Sequence, residues 1–442
     1  MLIKNVKIVT GDGSTVIDKG FISIHGDRIV EVSAQELPAQ GEVIDADGCI
    51  ALPGAINHHT HGVTTGPLFP SANKPLPQEK AVEHQIRHLC EGTTTILNVD
   101  GFATMDEVNE ANTWTPLNVK TGTSHTPINI KAAQTVDGLG LQPKHLDYTV
   151  EQALREGAVC VGEIGGGHTL GGGGQDYLFI PRAIKEHTGK DLTPKQCRQL
   201  KVAVLSRYID ENAYDEQKVR AALKEVGLEG ILTPEQCRRI ISDCVLPSIA
   251  LGLDAFTEAA QIAQKFNVPS IYHNSGPSKA RMLEIVENYS RIIAGHSNHP
   301  SFDEDESVVF AGLLRSKGAI IDNATLDIFV GHKLMDTPDC FYKFYDAGIV
   351  DLVSTDYAAG AWDSVWMGVD GAYKNTRATL AQCVATATSN VERLIPGIAP
   401  DRGLLQSGKI ADICISGGDN LASIKYVLVD GKVVVKDGRP TF

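Results

Sequence analysis

His59 and His61 close the apolar run Cys49-Ile50-Ala51-Leu52-Pro53-Gly54-Ala55-Ile56 at a spacing of two. In an extended strand, residues two apart point to the same side, so two imidazoles at one strand end can grip a single metal ion. On its own such a pair is as readily a chance feature of a solvated turn. Four further residues change the balance. Glu163 follows Ala158-Val159-Cys160-Val161-Gly162, His273 follows Ser270-Ile271-Tyr272, His296 follows Ile292-Ile293-Ala294-Gly295, and Asp356 follows Leu352-Val353-Ser354-Thr355. Any one of them is ordinarily a capping or solvated residue. Ligand-type residues at five strand ends are hard to explain that way.

Six nitrogen and oxygen donors exceed the roughly three protein ligands of a single catalytic zinc, and a carboxylate can bridge two cations through its two oxygens. The sequence therefore suggests two divalent ions: His59, His61 and Asp356 on one, His273 and His296 on the other, and Glu163 between them. Two adjacent cations would acidify a shared water enough to give hydroxide near neutral pH. Asp356 would take its proton during attack on an sp² carbon and pass it to a leaving nitrogen, as a base turned acid. Zinc is the default ion, and iron, manganese and cobalt suit the same donors.

These side chains need a frame that brings strand ends together. Strands are expected at 50–57, Thr93 to Val99, Asn118 to Gly122, Ala158 to Gly162, Ser270 to Tyr272, Ile292 to Gly295, Ala319 to Ile321 and Leu352 to Thr355, alternating with helical stretches. Alternation of this kind signals parallel βα units, and eight of them match a (β/α)₈ barrel, whose active sites lie at the C-terminal strand ends. A doubly wound open sheet is second, because no Gly-x-Gly-x-x-Gly follows an early strand. The chain ends read differently. Short antiparallel strands around Gly11-Asp12-Gly13, Gly26-Asp27 and Asp430-Gly431 assign 1–50 and 404–442 to a small β-sandwich, and leave 51–403 to the barrel.

The stretch 178–250 exceeds what a minimal barrel needs and reads as a helical insertion. It contains a short repeat, Leu192-Thr193-Pro194-Lys195-Gln196-Cys197-Arg198 against Leu232-Thr233-Pro234-Glu235-Gln236-Cys237-Arg238, with Thr placed to cap each helix and Pro to begin it. Because it follows the fourth strand it should emerge on the C-terminal face, as a subunit contact or a lid.

With 442 residues, 42% hydrophobic and 21% charged, the chain can bury a large core. A net charge of −14 argues against nucleic acid or an anionic membrane as partner and leaves a small-molecule substrate. The nine cysteines lack paired short spacings, which fits a reducing cytoplasm. Neither a signal pattern nor an apolar run approaching the roughly 20 residues of a bilayer span is evident. A homo-oligomer is expected, with the helical insertion as one surface for it.

Over nearly its whole length the chain resembles the amidohydrolase superfamily. The resemblance is carried by Pro53-Gly54-Ala55-Ile56-Asn57-His58-His59-Thr60-His61-Gly62, by His273, His296 and Asp356 in that order, and by Gly408-Lys409-Ile410-Ala411-Asp412 leading back to the terminal strands. Many binuclear members carry a carboxylated lysine at the end of strand four. Here Glu163 stands there, within Val161-Gly162-Glu163-Ile164-Gly165. That substitution and its glycines resemble enamidase, which opens a cyclic enamide, with adenine deaminase a more distant similarity. If Glu163 holds one ion only, as in mononuclear deacetylases of the superfamily, a single polarising metal serves the same mechanism. The resemblance implies hydrolysis of a C–N bond in a small cyclic amide; the alternatives are an aminohydrolase that releases ammonia from a heterocycle, and a barrel that has lost its chemistry.

Around the ligands, the run Gly165 to Gly174 holds seven glycines in ten residues and permits close backbone approach to a ligand. It lacks the Gly-Lys-Ser/Thr of a phosphate loop. His125, after the third strand, is a candidate catalytic and substrate-binding residue. His168, Asn274, His299 and Tyr357 are candidate substrate contacts, with Ser275 and Asn298 as polar supports. His58 should point away from the metals in a structural role, and His25, His84, His88, His145, His187 and His332 read as surface residues.

Overall fold

A computed structural model describes residues 1–39, 41–166, 170, 175–330, 337–356 and 360–442. Among these, eight strands form one parallel sheet, labelled here β1 (Ala55–Thr60), β2 (Thr93–Asn98), β3 (Asn118–Thr123), β4 (Cys160–Ile164), β5 (Ser270–His273), β6 (Ile292–Gly295), β7 (Ile320–Ala324) and β8 (Leu352–Ser354). They pair in chain order, each parallel to the next. Both faces of most strands are buried, which is why they read as unbroken apolar runs rather than alternating ones. The expected barrel is present, helices packing outside it.

At the seam between β8 and β1 one side chain makes two of the bridging hydrogen bonds. Asn57, fully buried, donates from Nδ2 to Thr355 Oγ1 at 2.8 Å and accepts the Thr355 N–H on Oδ1 at 3.1 Å. Beyond it the Asp356 N–H donates to the His59 carbonyl at 3.1 Å. The seam thus fixes the two segments that carry His59, His61 and Asp356.

The termini share a second, nine-stranded sheet among the described residues. Its junction is Cys49–Pro53, which runs antiparallel to Ile413–Gly417 with Pro53 opposite Ile413. The strand expected at 50–57 is therefore two strands in two sheets. Gly54 is the crossing point: its N–H donates to the Asp412 carbonyl at 2.9 Å, and a Cβ there would lie 2.3 Å from the Thr94 side chain. Strand four also differs from expectation, pairing over Cys160–Ile164 rather than 158–162, because Ala158 and Val159 are buried before the ladder begins.

The insertion folds around its own core. Helices Ile180–Thr188, Pro194–Leu205, Glu216–Glu225 and Pro234–Val245 pack Ile184, Cys197, Leu200, Val219, Cys237 and Ile241 together. Both repeat copies start helices as expected: Thr193 accepts from the Gln196 N–H and Thr233 from the Gln236 N–H. The helical run Pro234–Phe266 is, by length and composition alone, apolar enough to cross a bilayer, which the sequence reading did not foresee. Its second part, Ile249–Phe266, has a different use for those residues, burying Ala255, Phe256, Ala259, Ala260 and Ala263 against the barrel.

Candidate metal centre

All six expected ligands converge at the C-terminal mouth of the barrel. The carboxylate of Glu163 is at the centre, and its two oxygens serve different partners. Oε1 lies 3.0 Å from His273 Nδ1 and 3.1 Å from His296 Nε2, whereas Oε2 lies 3.5 Å from both His59 Nε2 and His61 Nε2. Asp356 Oδ1 stands beside the second pair, 3.8 Å from His59 Nε2 and 3.6 Å from His61 Nε2. Three overlapping groups of donors each fall within 4.8 Å: His59, His61 and Glu163; His59, His296 and Asp356; Glu163, His273 and His296.

Local backbone explains the aim of these side chains. Glu163 and His273 are the penultimate and last residues of β4 and β5, and His59 lies inside β1, so the strands themselves direct them. His296 and Asp356 follow their strands in left-handed conformations, at φ 34° and 53°, an uncommon state for residues other than glycine. Asp322 Oδ2 accepts the His296 N–H at 2.7 Å and holds that turn. Gly166 leaves room for the central carboxylate, since a Cβ there would lie 2.2 Å from Glu163 Oε2.

The donor set fits a divalent cation. Both ring nitrogens of His59, Nε2 of His273 and Nδ1 of His296 are buried without a hydrogen-bond partner among the described residues, an arrangement that costs stability unless the cluster is filled. His61 gives its Nδ1 to Asp100 Oδ1 at 2.9 Å, leaving Nε2 to face the site. The surroundings favour positive charge. Burial pulls the His61 ring down, yet hydrogen bonds to Asp100 and Glu163 prevail and raise it to about 10. His296 is likewise raised to about 9 against its burial, by Glu163 and Asp356. Protons occupy such sites when no cation does.

Exposure separates Asp356 from the rest. Its side chain is 18% exposed, against 0 to 5% for the other five. It is the member that a substrate can reach.

Two contributors were missed in the sequence. Asp100, just past β2, also accepts the Gly62 and Phe69 N–H groups at 3.0 and 2.8 Å, so it orders the loop behind His61. A carboxylate after an apolar strand was the available signal. Asp322 lies on β7; its Oδ1 is 3.2 Å from His58 Nε2, both residues being fully buried. Burial alone would raise the Asp322 carboxyl, but the His58 ring holds it below the usual range. His58 is thus a buried partner to the frame that carries His296.

The outer candidates divide. His299 packs its ring 4.9 Å from His273 and 5.3 Å from His296, beside the centre. Asn274 donates to Ser297 Oγ at 3.1 Å and Asn298 bonds the Ala324 backbone, so both tie neighbouring strand ends together. His125 is buried between Phe102 and Tyr148, its Nδ1 3.0 Å from Thr123 Oγ1, and burial pushes its ring down to about 4. None of its described contacts is with the six ligands. His168 and Tyr357 lie outside the described residues, as does most of the glycine run and His332.

The surface reading of the remaining histidines needs correction. His88 is buried, stacked on Trp362 with centroids 4.7 Å apart, and burial takes its ring down to about 3. His145 is buried 3.1 Å from Glu107 Oε1, and His84 is half-buried with Nδ1 2.9 Å from the Gly62 carbonyl. His25 and His187 are exposed as expected.

Solved structures share this architecture across the whole chain. The β-aspartyl dipeptidase of Fervidobacterium islandicum AW-1 in complex with a β-Asp-Leu dipeptide superimposes with a TM-score of 0.57 at 15% identity, covering 100% of this chain and 97% of its own. A zinc-complexed atrazine chlorohydrolase of Arthrobacter aurescens TC1 gives 0.52 at 17% identity, covering 100% and 96%. The chain has the fold of these hydrolases. In sequence, it is similar to imidazolonepropionase of Thermoplasma acidophilum, 22% identical over 95% of this chain and 91% of that protein. A stronger but local likeness is to 5-methylthioadenosine/S-adenosylhomocysteine deaminase of Moorella thermoacetica, 42% identical over 90 residues. That alignment spans 20% of each protein. No protein-family model matches. Together these likenesses support the amidohydrolase superfamily, and none of these proteins is an enamidase.

Proposed function

We propose that this chain is a metal-dependent hydrolase of the amidohydrolase superfamily that opens a small cyclic amide at its C–N bond. The observation that carries the reading is the division of Glu163: one oxygen faces His273 and His296, the other His59 and His61, with the accessible Asp356 alongside. His59, His61 and Asp356 would hold one divalent ion and His273 and His296 another, with Glu163 common to both. Zinc is the ion proposed, on the histidine and carboxylate donors and on its presence with the atrazine chlorohydrolase. Bound cations supply the field that acidifies water and polarises a carbonyl.

The protein's own part is positioning and proton transfer. Asp356 accepts the proton of the attacking water and delivers it to the ring nitrogen as the C–N bond breaks. Its left-handed backbone, tied by the N–H to the His59 carbonyl, keeps that carboxylate beside the first histidine pair. His125, whose Nε2 has no partner among the described residues, is proposed to hydrogen-bond a substrate carbonyl. A relative that aligns over 95% of this chain is named for an imidazolone, a ring in which a carbonyl is bonded to a ring nitrogen; this supports a cyclic amide as substrate class.

The local deaminase likeness supports a second reading, an aminohydrolase acting on a heterocycle. Both use the same proton shuttle and differ in the leaving group. A panel of lactams, cyclic imides, hydantoins and aminopurines given to metal-reconstituted protein separates them. Gain of one water without ammonia supports the cyclic amidase, and ammonia release supports the aminohydrolase. Failure with every compound by fully metallated protein contradicts both.

A further inference from the structure

The helix Gln78–Cys90 carries His84, Arg87 and His88 on one face, with Glu91 next in the same row, a spacing of three and four that sets side chains one above another. Two of them reach the first ligand segment. His84 donates from Nδ1 to the Gly62 carbonyl at 2.9 Å, and His88 Nε2 lies 3.3 Å from Thr60 Oγ1. Thr60 stands between His59 and His61, and Gly62 follows them. The helix therefore grips the first histidine pair at two points.

The same face holds the chain that leaves Asp356. Trp362, only 3% exposed, makes the contact: the Arg87 guanidinium lies 3.7 Å from the centre of its ring, and the His88 ring stacks on it at 4.7 Å with 16° between the planes. The Trp362 Nε1–H donates to Glu91 Oε2 at 2.8 Å, and Glu91 Oε1 accepts from Arg87 Nε at 2.8 Å. Arg87 also donates to the carbonyls of Trp362 and Gly360. Charged partners on the indole's face, on its N–H and on its own backbone make a stiff anchor. The second histidine pair is held from other elements, since Ser278 Oγ donates to the His273 carbonyl at 2.9 Å and Asp322 accepts the His296 N–H at 2.7 Å.

Asp356 is thus fixed from two directions, by its own N–H on the His59 carbonyl and by the anchor six residues further on. We propose that Trp362 is a positioning residue for one half of the metal centre: clamped on the helix that also holds Thr60 and Gly62, it sets the Asp356 carboxylate against His59 and His61. The cation held by those three depends on Trp362, and the cation on His273 and His296 does not. This rests on the two-ion reading given above. The buried row of His84, Arg87 and His88 is then a brace between two ligand segments that lie at opposite ends of the barrel sequence and meet only at its seam.

Equilibrium dialysis of the full chain against buffered zinc, with elemental analysis, tests this without relying on turnover, and anomalous diffraction locates the ions. Trp362→Leu should weaken one of the two cations by about 10- to 100-fold, the range for groups that orient metal ligands from outside, with the remaining density at His273 and His296. Trp362→Phe keeps an aromatic ring but loses the Nε1–H bond; it should fall between, and it serves if the leucine variant does not fold. Trp366→Leu is the control for plain loss of packing. Trp366 is fully buried with its Nε1–H on the Gly92 carbonyl at 3.2 Å, just before β2 begins, so that change should lower the melting midpoint and keep both cations. Both cations held at wild-type affinity in Trp362→Leu, both weakened equally, or the same selective loss in Trp366→Leu would each overturn the positioning role. A wild type that takes up a single cation at His59, His61 and Asp356, weakened by Trp362→Leu, keeps that role and removes the two-ion reading. Two cations indifferent to Trp362 do the reverse, and a wild type that takes up none removes both.

Discussion

Replacing Asp356 by Asn separates proton transfer from metal binding. Asparagine has the shape of aspartate, tolerates the left-handed backbone at φ 53°, and leaves the N–H bond to the His59 carbonyl in place. It keeps an oxygen at the position 3.6 Å from His61 Nε2 and 3.8 Å from His59 Nε2, so the frame should stand. Melting curves of the metal-loaded variant check that it folds as the wild type does. What is lost is the group that takes and returns the proton. General acid–base catalysis contributes about 10²- to 10⁴-fold, or roughly 3 to 5 kcal/mol at 1.36 kcal/mol per decade. With a cyclic amide that the wild type hydrolyses, and metal held at saturation, kcat and kcat/KM should fall together by that factor while bound metal is retained. A kcat within about threefold of wild type, with metal retained, would refute the shuttle. Loss of activity only in proportion to lost metal would reduce Asp356 to a ligand.

Asp100→Asn should weaken metal binding by about 10- to 100-fold, because Asp100 fixes the His61 tautomer; equilibrium competition with a chelator measures it. Asn57→Ala removes the two hydrogen bonds that Asn57 makes across the seam and leaves the Thr355 N–H buried without its acceptor, a cost of about 3 kcal/mol seen as a lower denaturation midpoint. An unchanged midpoint there would place barrel closure elsewhere. His88 is held neutral in the fold at about 3 and titrates near 6.5 when unfolded, so the unfolded chain binds one more proton between those values. Its contribution is complete above pH 6.5 and is lost as pH falls, by about 1.4 kcal/mol per unit; His88→Phe should flatten the acid side of the stability–pH curve by that slope.

The barrel was legible because its strands are buried on both faces and so appear as short apolar runs, and the ligands because each sits where such a run ends. What the runs do not reveal is where pairing begins. Ala158 and Val159 are as apolar as the strand they precede, so the sequence alone places strand four two residues early and Glu163 beyond its end. The run 49–56 serves two sheets, and only Pro53-Gly54 marks the change. His88 could have been found from helical spacing, since it shares the buried face of Gln78–Cys90 with Ala81 and Gln85. Asp100 gives only the local signal of a carboxylate after an apolar strand, and Asp322 gives none. Their partners His61 and His58 lie 39 and 264 residues away in the chain, and only the closed barrel brings them together.

Metal content by elemental analysis, joined to anomalous diffraction from crystals, tests the centre most directly. Two cations per chain are expected, one held by His59, His61 and Asp356 and one by His273 and His296, with Glu163 common to both and both lost in Glu163→Gln. A protein that takes up no divalent metal at saturation, or carries it away from Glu163, would contradict the account.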